Sequence, residues 1–234
     1  MNTVTGDTER LPVATLLSVI GGFLDIYTYL FRGKVFANAV TGNMVLFGLN
    51  IAEGKWTNCG KYLLAITCYA LGIFIAELIH RKLPANRQIA WYQSVILLEV
   101  ICLLPLPWIP YGDLDFIVNG VIALVCAMQV QTFRRVRGLP FASTMCTGNL
   151  RSGTDALFQS VVNKKSGEFR KVLHYYGIII CFISGAVLGA LILSHLGQEF
   201  LLLAPLGLTL IYLLSTPKRQ LVLWRKAFFK KSSR

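Results

Sequence analysis

Two carboxylates and a repeated tripeptide are the residues of this sequence whose types and spacing could do chemistry. Asp25 lies in the apolar stretch GGFLDIYTYL, and Glu99 lies in AWYQSVILLEVICLL. An ionisable side chain inside an apolar helix is costly to bury, so each carboxylate is a candidate site for a proton or a cation. The structural alternative for Asp25 is a hydrogen bond to another helix or a pair with Arg32. Glu99 could equally be a protonated, hydrogen-bonded packing group.

The tripeptide Thr-Gly-Asn (TGN) occurs twice, and its first residues are numbers 41 and 147. The six residues are Thr41, Gly42, Asn43, Thr147, Gly148 and Asn149. Each copy follows a Phe-Ala pair and an Arg-Gly pair, and the latter begin at Arg32 and Arg137. Gly permits unusual backbone angles, and Thr and Asn oxygens cap helix starts, so each copy predicts a break at which a short helix begins. The free N–H groups of such a helix suit an anion or a dipolar solute. The alternative is that TGN only lets two helices pack closely.

The elements that position these residues are apolar blocks. Hydrophobic residues make up 55% of the 234 residues and charged residues only 15%, whereas soluble domains carry about 25% charged residues. About 20 apolar residues cross a bilayer, and in lipid they must be helical to satisfy their own backbone groups. Six blocks qualify: Leu11–Leu30, Tyr62–Leu78, Ala90–Trp108, Phe116–Phe133, Tyr175–Leu196 and Phe200–Leu214. We therefore expect an all-α integral membrane protein with one polytopic domain, residues 1–216, and a kink near Pro205 in the last span.

The net charge of +12 indicates a membrane surface as the partner, and no nucleic acid. Residues 217–234 are basic with interleaved aromatic residues, which predicts an interfacial tail on anionic lipid head groups. Residues 80–88 and 134–171 are basic as well, whereas residues 111–115 carry two acids and no base. By the positive-inside rule both termini are cytoplasmic. The exception is the first long loop, where Arg32, Lys34, Lys55 and Lys61 would lie outside.

The repeated TGN divides the chain into two halves, about 11–110 and 111–216. Each half reads as a span, a basic turn, a TGN segment and two more spans. Because three spans per half is an odd number, halves of equal fold must cross the membrane in opposite directions. We therefore predict an inverted repeat, an arrangement that recurs in secondary transporters. The first TGN would lie near the outer side and the second near the inner side.

The stretches GGFLDIYTYL, FANAVTGN, AMQVQTFRRVRG and FASTMCTGNL resemble the YoaK-like (DUF1275) family of bacterial multi-pass membrane proteins. The resemblance covers nearly the whole chain, in order. It implies a multi-pass fold in a bacterial cell membrane and carries no particular activity. Family members usually show a Gln-Asn pair where this chain has Gln129 and Val130, so any role that rests on that Asn does not carry over.

These features favour a small-solute or ion transporter or channel-like protein with its site between the two repeats. The site would combine Asp25, both TGN segments and Gln129, with Glu99, Arg32 and Arg137 in second rank. The partner would be an unknown small solute or ion. The alternative is a non-transporting scaffold or regulatory subunit whose TGN segments serve packing. A third hypothesis is lipid handling through the basic tail.

The sequence contains no nucleophile elbow, no HExxH and no phosphate-binding loop. Its six cysteines do not stand at metal-ligand or redox spacing. We therefore expect neither an enzyme nor a metal or other cofactor. Three spans per half enclose little volume, which favours a homodimer.

Overall fold

The apolar blocks form helices in the computed structural model, which describes residues 11–83, 88–136, 139–140 and 146–215. The helices of this part of the chain are α1 (Leu11–Phe31), α2 (Val40–Ala52), α3 (Trp56–Lys82), α4 (Gln88–Leu103), α5 (Asp115–Thr132), α6 (Cys146–Val161), α7 (Glu168–Leu196) and α8 (Leu203–Leu214). Two 3-10 segments, Leu106–Trp108 and Gln198–Leu202, lie at the ends of α4 and α7. Two short antiparallel strands, Arg135–Val136 and Leu139–Pro140, follow α5. The predicted all-helical class is confirmed.

Five segments of the described chain are long and apolar enough to cross a membrane. They are Leu11–Phe31, Trp56–Lys82, Trp91–Trp108, Asp115–Thr132 and Glu168–Leu196. Many large apolar side chains on their surfaces face outward, among them Phe74 on α3 and Ile180 on α7. An outward apolar surface of this extent suits lipid as the solvent.

The sixth predicted span, Phe200–Leu214, is divided. Its first residues belong to the 3-10 segment, and α8 has only 12 residues from Leu203. Such a helix is about 18 Å long, which is shorter than roughly 30 Å of hydrocarbon. Pro205 lies in the first turn of α8, where a missing N–H breaks no helical hydrogen bond.

Helices α1 and α7 pack closely because both carry glycine at their contact. A Cβ atom on Gly22 would lie 2.0 Å from the Phe182 carbonyl oxygen, and one on Gly185 would lie 2.0 Å from the Val19 carbonyl oxygen. Only glycine allows backbones to approach this closely. Gly185 meets Val19, and Gly189, one turn later in α7, meets Phe23, one turn later in α1, so α1 and α7 run parallel.

Helices α3 and α5 form the second close pair. A Cβ atom on Gly72 would lie 2.3 Å from the Leu124 carbonyl oxygen, and one on Gly120 would lie 3.0 Å from the Cys68 sulfur. Residue numbers again rise together, so α3 and α5 also run parallel.

Arg32 defines one face of the bundle. Its side chain is 0% exposed and follows the end of α1. It donates to the Tyr27 hydroxyl, the Ile109 and Pro110 carbonyls, the Asp115 carboxylate and the Gln198 side-chain oxygen. These contacts bring the ends of α1 and α7 and the start of α5 to one side, which we call the Arg32 face. Helices α1 and α5 therefore run in opposite directions.

Glu77 defines the opposite face. Near the end of α3, its carboxylate pairs with Arg134 at 2.8 Å and accepts a hydrogen bond from Gln131 near the end of α5. We call this side the Glu77 face. The starts of α1 and α7 lie on it, because their other ends lie on the Arg32 face.

Candidate functional site

The chain folds back along α1 after Arg32 and returns to Asp25. The Asn38 backbone N–H donates to Asp25 Oδ1 at 2.9 Å, and Asn38 Nδ2 donates to the Gly21 carbonyl at 3.0 Å. The backbone N–H groups of Ala37 and Ala39 also face the carboxylate. Gly21 is at the middle of α1, so the loop reaches halfway down that helix. Asp25 is 7% exposed, and successive backbone donors surround its carboxylate.

Asn43 closes the same loop from the α2 side. Its Oδ1 accepts a hydrogen bond from the Phe36 N–H at 3.0 Å, and its Nδ2 donates to the Phe36 carbonyl at 2.5 Å. A Cβ atom on Gly42 would lie 3.1 Å from the Phe36 ring, so glycine leaves room for that ring. Thr41 is exposed. The residues of the first TGN therefore differ in role, because two of them shape the loop and one faces outward.

The second TGN has the same position in its helix. Helix α6 begins at Cys146 and α2 begins at Val40, so in both cases the tripeptide falls in the first turn. Asn149 is 3% exposed, like the buried Asn43, whereas Thr147 and Gly148 are exposed. Arg137 and residues 141–145 lie outside the described residues.

The loop before α2 contacts Asp25, and the start of α6 lies in the neighbourhood of the same carboxylate. The loop before α2 binds the Asp25 carboxylate directly. The thiol of Cys146, the first residue of α6, lies within electrostatic range of the same carboxylate. A helix start carries about half a positive charge, so two helix starts favour a negative charge between them.

A second buried carboxyl group lies in the same interior. Glu99 on α4 is fully buried, and neither of its oxygens has a hydrogen-bond partner within the described chain. Cys126 on α5 is buried in the same interior. Gln129, one turn beyond Cys126, is buried as well. The structure therefore buries Asp25, Glu99 and Gln129 in the interior of the bundle, and of these Asp25 contacts the loop that leads to the first TGN.

Arg32 lies apart from this cluster. The alternative in which it pairs with Asp25 is wrong, because its guanidinium pairs with Asp115 at 2.8 Å. It also lies 4.4 Å from the centre of the Tyr111 ring, and Asn119 donates to its backbone carbonyl. Through these contacts Arg32 holds together the loops and helix ends at the Arg32 face, so its role is structural.

Comparison with known proteins decides the family. A family model described as "Protein of unknown function (DUF1275)" matches residues 13–214. The chain belongs to the DUF1275 family. The UPF0700 transmembrane protein YoaK of Bacillus subtilis (strain 168) is 26% identical over 193 residues, which cover 80% of this chain and 86% of the relative. No solved structure matches. The resemblance to YoaK-like proteins is thus confirmed, and the apolar helices agree with a membrane location.

Sequence reasoning missed Asn38 in this DUF1275 protein. Asn38 uses both its backbone and its side chain to hold the loop against α1. The signal was in the repeat itself, because Asn38 is the one polar residue between Phe36 and Thr41. Ser143 stands at the corresponding place after Phe141 in the second copy.

Proposed function

We propose that this DUF1275 protein is a transporter or channel-like protein for a small solute or ion, with its path between two inverted repeats. The observation that carries the proposal is the loop before α2, which turns back into the helix bundle and holds the Asp25 carboxylate there, with the start of α6 in the neighbourhood. Non-helical backbone at membrane depth is tolerated where it is buried in protein or lines a wet cavity. Half-helices that start near the midplane are a recurrent way to build a solute or ion site.

Glycine contacts support the repeat independently of the TGN motif. The Arg-Gly pairs begin at positions 32 and 137, 105 residues apart, and this offset aligns Val19 with Leu124. Gly185 packs against the Val19 carbonyl, and Gly72 packs against the Leu124 carbonyl. The pair α1 and α7 is then equivalent to the pair α5 and α3. Since α1 and α5 run in opposite directions, this equivalence favours an inverted repeat.

The short helices fit re-entrant segments. Helix α2 has 13 residues and α6 has 16, so they are about 20 and 24 Å long, too short to cross roughly 30 Å of hydrocarbon. In the proposed arrangement α2 enters from the Arg32 face and α6 from the Glu77 face. The six crossings are then α1, α3, α5, α7, the span Trp91–Trp108 that contains most of α4, and the stretch Gln198–Leu214, in which the 3-10 segment extends α8 to 17 residues.

The distribution of charge supports an orientation. Several basic residues of the described chain belong to the Glu77 face: Arg81, Lys82, Arg134, Lys164, Lys165, Arg170 and Lys171. By the positive-inside rule this face is then cytoplasmic, so both termini lie on the cytoplasmic side of a bacterial plasma membrane. The basic tail, residues 217–234, lies outside the described residues. Its binding to anionic lipid stays a prediction, as does the homodimer.

Asp25 has the role of the switchable charge in this proposal. Its carboxylate already occupies the position that two helix starts offer to an anion, so the bound species is a proton, a cation or a dipolar solute. The residue 105 positions after Asp25 is Val130, so the second half contributes no equivalent charge. Glu99 and Gln129 supply the other polar groups of the interior.

The experiment measures flux into liposomes that contain the full-length protein. Probes are protons, Na⁺, K⁺, Cl⁻, glycerol and urea, each compared with empty liposomes. We expect flux of at least one probe. Asp25→Asn should lower proton or cation flux at least roughly tenfold, because losing a buried charged partner costs more than about 1.4 kcal/mol. Asp113→Asn removes an exposed acid from the loop before α5 and serves as the control.

Two results would count against the proposal. Folded Asp25→Asn protein with flux and proton dependence unchanged would exclude Asp25 as the switchable charge. Folded wild-type protein that moves none of the probes would favour the alternative, a scaffold or regulatory subunit. The observation in favour of that alternative is Asn43, whose side-chain oxygen and nitrogen are both bound to the Phe36 backbone.

A further inference from the structure

We propose that a cavity between the starts of α1 and α7 binds an anionic phospholipid from the leaflet at the Glu77 face. The cavity has a volume of about 810 Å³. Leu11 and Thr15 of α1 line one side, and eight residues between Gly167 and Cys181 line the other. Leu139 of the second short strand also lines the cavity. It lies at one face of the bundle and is separate from the site at Asp25.

The lining changes from charged to apolar with depth. Arg170, Lys171 and His174 belong to the first turns of α7, at the Glu77 face, whereas Ile178 and Cys181 lie deeper. Gly167 and Cys181 are 14 positions apart, which corresponds to about 21 Å along the helix axis. A basic mouth that continues into an apolar groove matches a phosphate head group followed by the first part of an acyl chain.

The charges at the mouth are complementary to a phosphate. Lys171 Nζ pairs with Glu168 Oε1 at 2.7 Å, so its charge is already balanced. Arg170 makes no ion pair with any residue that the structure describes, which leaves its guanidinium available. Basic pockets between transmembrane helices at the cytoplasmic side are suited to anionic lipid head groups. A guanidinium can also hold a phosphate by two parallel hydrogen bonds.

The groove has room for an acyl chain beside Gly177. Gly177 lines the cavity, and a Cβ atom there would meet nothing within 4 Å, so a side chain at this position can extend into the groove. This position allows the apolar part of the proposed site to be blocked separately from its charged mouth.

The test measures binding of phosphatidylglycerol and phosphatidylcholine to full-length protein in detergent by native mass spectrometry. We expect phosphatidylglycerol to bind in preference. Arg170→Gln should weaken its binding roughly tenfold, the effect of losing a charge-assisted hydrogen bond. Arg134→Gln, an exposed arginine on the same face, is the matched control and should bind as wild type. The basic tail is present in every variant, so its contribution is common to all.

The variant Gly177→Phe distinguishes a lipid ligand from a soluble phosphate ligand. We expect it to weaken phosphatidylglycerol binding and to leave glycerol 3-phosphate binding unchanged. Unchanged phosphatidylglycerol binding in both Arg170→Gln and Gly177→Phe would overturn the proposal. It would also fall if glycerol 3-phosphate bound as tightly as the lipid. A third variant, Asp7→Asn/Glu9→Gln, removes the two acids that precede Leu11. If only this variant bound phosphatidylglycerol preferentially, the acidic segment and not a lipid would occupy the cavity in the wild-type protein, and the proposal would fail.

Discussion

Replacing Arg32 with Gln is expected to lower the free energy of unfolding by about 3–5 kcal/mol, the usual cost of removing one partner from a buried ion pair. The loss is large because Arg32 is fully buried and serves several acceptors at once. Without its guanidinium, the Asp115 carboxylate and the Ile109 and Pro110 carbonyls lose their donor. The measurement is unfolding of purified full-length protein in mixed detergent micelles, followed by circular dichroism.

Arg134→Gln is the matched control for Arg32. Both arginines form an ion pair of 2.8 Å, but the Arg134 and Glu77 side chains are 58% and 46% exposed. Exposed ion pairs contribute about 0–1 kcal/mol, so this variant should unfold nearly as wild type does. If the two variants lost the same free energy of unfolding, Arg32 would not be the residue that holds together the loops and helix ends of the Arg32 face.

The second large effect is expected at Gly185. Gly185→Ala adds a Cβ atom that would lie 2.0 Å from the Val19 carbonyl oxygen. Because that oxygen belongs to helix backbone, the strain can be relieved only by moving α1 away from α7. We expect a loss of about 1–3 kcal/mol or more from this overpacking. The loss should be accompanied by a fall in the fraction of monodisperse protein on size-exclusion chromatography.

Gly177→Ala in the same helix is the control, and its effect should have the opposite sign. Its Cβ atom meets nothing within 4 Å, and alanine is favoured over glycine in a helix interior by about 0.8–1.0 kcal/mol. Gly72→Ala should behave like Gly185→Ala, because its Cβ atom would lie 2.3 Å from the Leu124 carbonyl oxygen. If all three variants had equal stability, close glycine packing would not hold the two helix pairs together.

Local patterns in the sequence predicted the elements well. The first apolar block and α1 differ by one residue at the C-terminal end, and both TGN tripeptides fall in the first turn of a helix. Composition alone accounts for the class, since too few charged residues are present to cover a soluble surface. The last block was less predictable, because hydrophobicity does not distinguish the 3-10 turn to Leu202 from α8.

Tertiary partners could not be read in the same way. Arg32 binds residues 77 to 166 positions further along the chain, and the spacing of apolar residues does not predict contacts over such distances in sequence. The loop contact between Asp25 and Asn38 requires the chain to turn back along α1, which apolar patterns do not encode. The burial of Glu99 without a described partner likewise depends on how α4 packs in the bundle. Sequence thus identified the candidate residues, and packing determined which of them lie together.

The central claim, two inverted halves whose TGN segments enter from opposite faces, is tested most directly by thiol labelling. Thr41→Cys and Thr147→Cys would each be made in a full-length background lacking the six native cysteines, because both threonines are exposed while Asn43 and Asn149 are buried. A membrane-impermeant maleimide is applied from each side in turn. We predict that position 41 reacts from outside only and position 147 from inside only. Reaction of both from the same side, or of neither in folded, inserted protein, would contradict the account.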